Sequence, residues 1–402
     1  MRDRVLAFLA EREQEQFALL EELVLIQSSS WNKVGVDAVG ARLSEFLQGL
    51  GLNREVVAES DIGNQLIFRS AAWNIDRPGL LLVGHMDTVF PADTDFNWYR
   101  DDGVRVYGPG VIDMKGGLVV AVWALAALAH IGLLDRIPLT LICNSDEEIG
   151  SPASSLLVQT EAERSLLGLV FECGGLAGEL VTGRKGKGGY LLKVHGRAGH
   201  AAFAGVDKAS AILELSHKII ALERLNDPER QLVVNVGTVH GGIGPNTVAD
   251  FATAEIDTRY LRLEDAELTA AKIEEITVKS TIKDTRGELE LTGGRLPMEQ
   301  SDTNHRLYRI IEQEATRLGI PCAEELRSGV SDANTIAATG IPVVDGLGPI
   351  GGCDHSDREY MIRESLPQRS QLAALAIIRC WQSLSNLGKV RLQDVGGEII
   401  AC

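Results

Sequence analysis

Short apolar runs that end at turn residues recur along the chain and predict the strands of a sheet. The clearest run, residues 80–83, contains four consecutive apolar side chains between Gly79 and Gly84. A run this short and this apolar is typical of a strand that is buried on both faces. Further strands are predicted at about 63–68, 137–144, 167–171 and 342–345. The pattern therefore predicts an α/β sheet with a covered centre.

Helical periodicity separates these strands. Apolar residues repeat at helical spacing in four segments, 13–26, 36–50, 117–134 and 364–385. The segment 117–134 is apolar enough to suggest a membrane span, but Gly132 and His130 interrupt it and the charged Lys115 precedes it. We therefore predict a helix buried inside the protein.

The pattern changes near residue 183, within a basic, glycine-rich stretch at 182–189. After this stretch we expect, in order, a strand, a helix, two strands, a helix and a strand. This order predicts an inserted α+β domain at 184–295, between the two parts of another domain at 1–183 and 296–402. The glycine-rich stretch lacks the GxxxxGK[ST] spacing of a phosphate-binding loop, so we interpret it as a hinge.

Composition narrows the class of protein. A chain of 402 residues with 45% hydrophobic content is expected to form two or three domains. The formal charge of −17 argues against binding to nucleic acid or to an anionic membrane surface. The six cysteines are scattered without CxxC pairs, and the first 20 residues lack the apolar core of a signal peptide. We therefore expect reduced thiols and a cytoplasmic location.

Acidic and histidine side chains follow the predicted strands at the point where each strand ends. In an open α/β sheet this edge is where ligands bind. Asp113 differs, because it precedes the apolar helix at 117–134, and His355 lies in a loop beyond the last strand. The candidate set comprises His85, Asp87, Asp113, Glu147, Glu148, Glu172 and His355.

This set has the chemistry of a metal site. Two histidines with several carboxylates and no thiolate suit divalent metals such as zinc, and a bridging carboxylate would allow two ions. The adjacent Glu147 and Glu148 point apart in an extended or turn backbone, so one can bind metal while the other acts as a general base. Two alternatives stay open. The acids at 146–148 could cap a helix that begins near Ser151, and Glu172 could be a solvated edge residue.

Four segments resemble the di-zinc aminoacylase/carboxypeptidase family, in the same order along the chain. These segments are 84–89, 110–117, 146–151 and 355–359. Members of this family include bacterial glutamate carboxypeptidase, to which the chain is most similar, acetylornithine deacetylase and succinyl-diaminopimelate desuccinylase. The resemblance implies a zinc-peptidase-like catalytic domain, with a mixed sheet sandwiched by helices, and an inserted lid domain that forms a homodimer.

The resemblance also implies roles at the metal centre. The ligands of one Zn²⁺ would be His85, Asp113 and Glu172, and those of the other would be Asp113, Glu148 and His355. Asp113 would bridge the two ions. Glu147 would be the general base, and Asp87 would orient His85. Co²⁺ and Mn²⁺ are alternatives to zinc.

In the inserted domain the resemblance implies contacts with the substrate. His200 would reach the active site of a partner subunit and stabilise the oxyanion. The implied substrate-binding residues are Asn246, Arg259, Arg295 and Gly329, with Arg295 on the free carboxylate. A solvated His200 and a surface Arg295 are the alternatives. The glutamate-cleaving branch of the family can carry a Lys shortly before the lid, where this chain has Glu179, so strict glutamate specificity is not predicted.

These expectations combine into one predicted function. The chain would be a di-zinc hydrolase of an amide or peptide bond next to a free carboxylate, acting on a small peptide or an N-acyl amino acid. An N-acyl-amino-acid deacylase or dipeptidase on the same scaffold is the alternative, because only the substrate pocket would differ. A non-catalytic binding protein is disfavoured, because the base and all five ligands are present.

Overall fold

The computed structural model describes residues 1–386, which separate into two compact units. The first unit contains residues 1–182, 300–326 and 331–386, and the second contains 183–299 and 327–330. Residues 296–299 and 327–330 thus group with the inserted domain, although the sequence analysis assigned them to the flanking domain. The end of that predicted domain, 387–402, lies outside the described residues.

The helices within residues 1–386 run as follows. They are α1 (Arg2–Glu11), α2 (Glu13–Val24), α3 (Lys33–Gly49), α4 (Lys115–His130), α5 (Ser155–Glu163), α6 (Ala211–Glu223), α7 (Leu263–Val278), α8 (Asp302–Leu318), α9 (Asp332–Ala337) and α10 (Ser365–Asn386). None of the helices in this described part of the chain is long and apolar enough to cross a membrane.

The strands follow the same chain order. They are β1 (Asn53–Val57), β2 (Gln65–Arg69), β3 (Gly79–His85), β4 (Arg100–Asp101), β5 (Arg105–Tyr107), β6 (Leu139–Asn144), β7 (Ser165–Val170), β8 (Leu180–Arg184), β9 (Gly186–His195), β10 (Gly199–His200), β11 (Val233–Gly241), β12 (Thr247–Val248), β13 (Phe251–Tyr260), β14 (Arg286–Arg295), β15 (Glu324–Arg327), β16 (Val343–Val344), β17 (Gly351–Gly352) and β18 (Tyr360–Ile362).

A six-stranded mixed sheet is the centre of the first unit. Its strand order is β1-β2-β6-β3-β7-β16, in which β6, β3, β7 and β16 are parallel and β2 pairs antiparallel with both β1 and β6. Every residue of β3 is buried. Leu80 and Leu82 belong to the large core cluster that includes α4, whereas Leu81 and Val83 are buried outside that cluster. Because alternate side chains point to opposite faces, β3 is covered on both sides. The predicted fold class, α/β with a mixed sheet between helices, is confirmed.

Gly84 allows α4 to approach the end of β3 closely. A Cβ atom placed on Gly84 would lie 2.7 Å from Cε of Met114 and 2.9 Å from Cδ2 of Leu118. Glycine therefore lets the first turn of α4 pack directly on the strand. This packing places Asp113, which immediately precedes that turn, beside the end of β3.

A small four-stranded sheet, ordered β17-β18-β5-β4, brings two distant loops together. Tyr360 at the start of β18 pairs with Tyr107 at the end of β5. The loop that follows β5 leads to Asp113, and the loop that precedes β18 contains His355. The pairing therefore places these two loops side by side.

The second unit contains an antiparallel sheet of order β11-β13-β9-β14, on which α6 and α7 pack. The stretch at 182–189 belongs mainly to β8 and β9, and the division between the two units falls inside it, between Thr182 and Gly183, so its role as a hinge stays a prediction. Side chains of β9 alternate between buried and half-buried positions. A Cβ atom on Gly186 would lie 2.2 Å from the ring of Tyr260. At least this glycine serves close packing and not a flexible connection.

A buried ion pair joins α6 to the end of α7. Lys218 and Glu214, 2% and 0% exposed, lie 2.9 Å apart from Nζ to Oε1. Lys218 also donates to the carbonyls of Ile276 and Thr277, at 2.7 and 2.9 Å. Glu214 accepts from the backbone N–H of Thr281 at 2.9 Å. The pair thereby satisfies carbonyl groups that a helix end leaves without intrahelical partners.

We predict that Lys218→Ala lowers the free energy of unfolding of the second unit by about 3–5 kcal/mol, because it leaves a buried carboxylate without its cation. Amide hydrogen exchange in α6 measures this loss. Tryptophan fluorescence does not, because all five tryptophans lie outside the second unit. Lys272→Ala, at an exposed position of α7, is the matched control. Equal exchange rates in the two variants would contradict the prediction.

Candidate metal centre

The carboxyl ends of three parallel strands meet at one edge of the large sheet. His85 is the last residue of β3 and pairs in register with Asn144, the last residue of β6. The acids at 146–148 follow β6, and Glu172 follows β7. Parallel strands end at the same side of a sheet, so the side chains that follow them share one edge. The sequence analysis predicted this edge as the ligand-binding side.

Asp113 lies at the centre of the cluster, between the two histidines. Its Oδ1 is 3.2 Å from Nε2 of His85, and its Oδ2 is 3.1 Å from Nε2 of His355. Each histidine also meets a second carboxylate. Glu172 Oε1 lies 3.6 Å from His85 Nε2, and Glu148 Oε2 lies 3.3 Å from His355 Nε2. The result is two three-residue groups that share Asp113.

The donors of this cluster fit divalent metal ions. Oε1 of Glu148 is buried and has no hydrogen-bond partner among residues 1–386, as expected for an oxygen reserved for a cation. Ligand atoms of His85, Asp113 and Glu148 all lie within 4.8 Å of one another. Imidazole nitrogens with carboxylate oxygens and no thiolate are typical of zinc, cobalt or manganese sites. The individual ligand assignments stay predictions.

The pKa values of the clustered groups also indicate that the site favours positive charge. Burial, followed by the neighbouring Asp113, raises the pKa of Glu148 to about 7. The same two causes raise the pKa of Glu172 well above its ordinary value. Hydrogen bonds to Asp113 and Glu148 raise the pKa of His355 to about 11. The buried carboxylates therefore favour any available cation.

Asp87 binds both His85 and the acidic loop, which consists of residues 146–148. It is 0% exposed, and its carboxylate accepts from the backbone N–H groups of Glu147 and Glu148 at 3.3 and 3.2 Å. Ser30 donates its hydroxyl to the same carboxylate at 2.6 Å. Nδ1 of His85 lies 2.9 Å from the Asp87 carbonyl oxygen and 3.4 Å from its carboxylate. The predicted contact with His85 is present, but the anchoring of the acidic loop was not predicted.

The three consecutive acids have different surroundings. Asp146 Oδ2 accepts from the N–H groups of Ala153 and Ser154 at 2.7 and 3.1 Å, just before α5 begins. Asp146 therefore fixes the turn that leads into α5, although its side chain does not cap that helix. Glu148 points to His355, whereas an oxygen of Glu147 lies within 4.8 Å of ligand atoms of His85 and Glu172. Both glutamates therefore approach His85, but Glu147 lies beside Glu172 whereas Glu148 lies beside His355.

Two further buried acids support this edge of the sheet, and sequence reasoning assigned them no role. Glu359 is 0% exposed and accepts from backbone N–H groups in the loop that contains Asp113. Asp332 accepts from Asn144 at 2.7 Å and from Ser151 at 2.8 Å, on either side of the acidic loop. Glu359 lies in the family-like segment 355–359, and Asp332 begins α9. Their partners are more than 180 residues away.

The predicted substrate residues lie in the second unit. His200 is exposed, and its Nδ1 accepts from the N–H of Ala202 at 3.2 Å. Asn246 is also exposed, and its backbone carbonyl accepts from the N–H of Ala201 at 2.9 Å. The structure therefore brings His200 and Asn246 into one neighbourhood. Gly329 also belongs to this unit, where its carbonyl accepts from Arg184 at 3.0 Å.

Three cationic residues form a row across adjacent strands of the second unit. Lys187 on β9 pairs in register with Arg259 on β13 and with Arg295 on β14. All three are half-buried. Arg259 donates to Asp257 at 2.8 Å, and Lys187 lies 3.8 Å from the same carboxylate. Directly opposed residues have Cβ atoms about 5 Å apart, so the row is a concentrated positive region. The sequence analysis had named both arginines but not Lys187.

Comparison with known proteins agrees with this architecture. The chain is 30% identical over 392 residues to carboxypeptidase G2 of Pseudomonas sp. (strain RS-16), and the match covers 94% of this chain and 92% of that protein. Among solved structures, the aminopeptidase PepT of Bacillus cereus ATCC 10987 is similar with a TM-score of 0.74 at 22% identity, covering 91% of this chain and 98% of that one.

A third similar protein is the M20 family metallo-carboxypeptidase Sso-CP2 of Sulfolobus solfataricus. Its TM-score is 0.69 at 18% identity, with 91% of this chain and 99% of that chain covered. At such low identity the two solved structures establish the fold alone. The sequence profile of Peptidase family M20/M25/M40 matches residues 81–379. The predicted family resemblance is confirmed: the chain belongs to Peptidase family M20/M25/M40 and is a metallopeptidase.

Proposed function

We propose that the protein is a di-zinc metallopeptidase that cleaves an amide or peptide bond next to a free carboxylate, in the manner of a glutamate carboxypeptidase. The observation that carries this proposal is the position of Asp113, whose two oxygens face different histidines at 3.2 and 3.1 Å. A carboxylate placed in this way can bridge two ions. The curated relative named carboxypeptidase G2 supports the reaction class.

The two three-residue groups would each hold one ion. His85, Asp113 and Glu172 form one group, and Asp113, Glu148 and His355 form the other. When bound, divalent ions would polarise the scissile carbonyl and lower the pKa of a water molecule beside it. The surrounding protein fixes these side chains, because Asp87 holds both the acidic loop and His85.

Glu147 is the proposed general base. It is half-buried at the His85 and Glu172 end of the cluster, and its backbone is fixed by Asp87 at 3.3 Å. A carboxylate in this position can accept a proton from the attacking water and deliver it to the leaving nitrogen. The neighbouring Glu148 lies 3.3 Å from His355, and the two glutamates are proposed to act separately.

The cationic row in the second unit supports a substrate with a free carboxylate. An arginine can bind a carboxylate through two parallel charge-assisted hydrogen bonds. Arg295 is the proposed partner of the substrate's α-carboxylate, with Lys187 and Arg259 as its neighbours in register. Asn246 and the loop at Gly329 are proposed to bind other parts of the substrate.

One residue favours the alternative of an N-acyl-amino-acid deacylase or dipeptidase. Glu179 stands where the glutamate-cleaving branch can carry a lysine, and its Oε2 accepts from the N–H of Ala177 at 2.8 Å. An acid there does not favour a second carboxylate on the substrate. Hydrolysis of glutamyl amides, other N-acyl amino acids and dipeptides by the same preparation would separate these possibilities.

We further propose that the second unit forms a homodimer and that His200 acts in the partner's site. Exposed apolar side chains on α6 and on the edge strand β11 support this assembly. Ile212 and Ile220 of α6 are 45% and 54% exposed, and Val239 of β11 is 52% exposed. An edge strand also presents unpaired backbone groups that a second copy can satisfy.

We predict that purified protein binds about two divalent ions per chain. We also predict that Glu147→Gln and Glu148→Gln differ in metal content. Glu147→Gln should retain the metal while turnover falls by about 10²–10⁴-fold, the typical contribution of a general base. Glu148→Gln should also lose metal, because it removes a charged ligand. Elemental analysis and turnover of the two matched variants test this. Equal metal loss in both would show that their roles are wrongly assigned.

Arg295→Ala should impair cleavage of a free-acid substrate and spare its amide. Losing one partner of a desolvated charge pair typically costs about 2–5 kcal/mol, which is roughly 30-fold to several thousand-fold in kcat/KM. When the carboxylate is masked as an amide, wild type and variant should be nearly equal. Arg286→Ala, exposed on the same strand, is the control. Full activity of Arg295→Ala on the free acid would show that another residue binds the carboxylate, with Arg259 the next candidate.

His200→Ala and Glu147→Gln should complement each other when their subunits exchange. Each variant alone should be nearly inactive, because one lacks the oxyanion contact and the other lacks the base. Each mixed dimer would contain one site with both residues intact, so activity should return after mixing. A strictly monomeric active enzyme, or a mixture of verified mixed dimers without activity, would exclude action across the dimer.

A further inference from the structure

The buried carboxylate of Glu359 binds three backbone amides of one loop. Its Oε2 accepts from Gly110 at 3.0 Å, and its Oε1 accepts from Ile112 at 2.9 Å and from Asp113 at 3.2 Å. The side chain is 0% exposed. Converging N–H groups of this kind form a binding site for an anion, and here a side chain of the same protein fills it.

The chain folds so that this contact joins both loops of the metal centre. β18 begins at Tyr360, directly after Glu359, and pairs with β5, which ends shortly before the Asp113 loop. Glu359 also lies four residues after His355. One short segment therefore contacts Asp113 twice. The His355 side chain meets the Asp113 carboxylate at 3.1 Å, and Glu359 meets the Asp113 backbone at 3.2 Å.

The His355 loop needs such restraint, because it contains backbone that is unfavourable on its own. His355 has a φ of 56° and Cys353 a φ of 62°, in the left-handed region that residues other than glycine seldom occupy. Such residues persist when the surrounding structure fixes them. Within this segment Ser356 donates to the carbonyl of Cys353 at 2.7 Å, and the N–H of Glu359 donates to the carbonyl of Ser356 at 3.1 Å.

We infer that Glu359 is a positioning residue, which sets the placement of the bridging Asp113 relative to His355 and so tunes the affinity of the site for metal. This inference rests on the proposed metal-binding function. Glu359 itself meets the backbone of Asp113 and does not act on the substrate. Residues that orient metal ligands typically change metal affinity by 10–100-fold when they are replaced.

The test uses Glu359→Gln and Glu359→Ala in the full-length protein. Glutamine keeps an oxygen for Ile112 and Asp113 but presents an NH₂ group to the Gly110 N–H, so one bond is lost. Alanine removes all three acceptors. We expect amide hydrogen exchange at residues 110–113 of the metal-free protein to accelerate in both variants, more so in Glu359→Ala. We expect Zn²⁺ affinity, measured by chelator competition, to fall by about 10–100-fold in Glu359→Ala and by less in Glu359→Gln.

Two controls separate positioning from general destabilisation. Glu364→Gln makes the same chemical change at an exposed position of the same segment and should alter neither readout. Ser70→Ala removes two buried hydrogen bonds at the opposite end of β6, to Ile137 and Leu139. It should lower thermal stability yet leave Zn²⁺ affinity and the absorption spectrum of bound Co²⁺ unchanged. Glu359→Gln should change that spectrum.

The outcomes are distinguishable. Unchanged exchange at residues 110–113 in Glu359→Ala would overturn the inference directly, whatever the metal content. Faster exchange with wild-type Zn²⁺ affinity would overturn the positioning role while leaving the proposed function intact. Wild-type protein without stoichiometric metal binding would overturn the proposed function, and the positioning role with it. Faster exchange together with weaker Zn²⁺ binding, absent in both controls, supports the inference.

Discussion

The repulsion between buried carboxylates is the constraint on which the rest of this structure depends. Asp113, Glu148 and Glu172 are gathered at one sheet edge, and burial together with their mutual repulsion raises the pKa of both glutamates. Such a cluster is unfavourable unless cations compensate it. His85 and His355 supply part of that compensation, and metal ions would supply the rest. A site of this kind must therefore be held by a scaffold that keeps the acids in place when the cation is absent.

The scaffold does this through hydrogen bonds from backbone N–H groups to buried carboxylates. Asp87 accepts from two consecutive N–H groups of the acidic loop, and Glu359 accepts from three N–H groups of the Asp113 loop. Both acceptors are completely buried. A carboxylate bound by several backbone amides fixes a loop without being a metal ligand itself. Some acids therefore position the loops, and different acids are proposed to bind the metal. The covered strand β3 gives these loops a rigid base.

The sequence allowed some of these elements to be predicted, and the reasons are local. The apolar run at 80–83 predicted β3, because a short continuous apolar run is typical of a strand buried on both faces, and Asp113 was recognisable from its place before an apolar helix. The roles of Glu359 and Asp332 could not be read in this way, because their partners lie more than 180 residues away. At 182–189 the glycines indicated a connection between domains, and the division between the two units falls there, but the sequence did not show that Gly186 also makes room for the ring of Tyr260 inside a sheet.

The acids at 146–148 show how far residue type alone can specify a role. Side-chain chemistry is nearly the same at the three positions, yet Asp146 binds the turn just before α5, Glu148 lies beside His355, and Glu147 lies beside Glu172. The difference arises from the short turn that follows β6, because successive side chains leave a turn in different directions. Asp87 fixes that turn by binding the N–H groups of Glu147 and Glu148 and not their side chains. The separation of a proposed base from a proposed ligand is thus a property of the backbone, and it depends on one buried carboxylate 60 residues earlier in the chain.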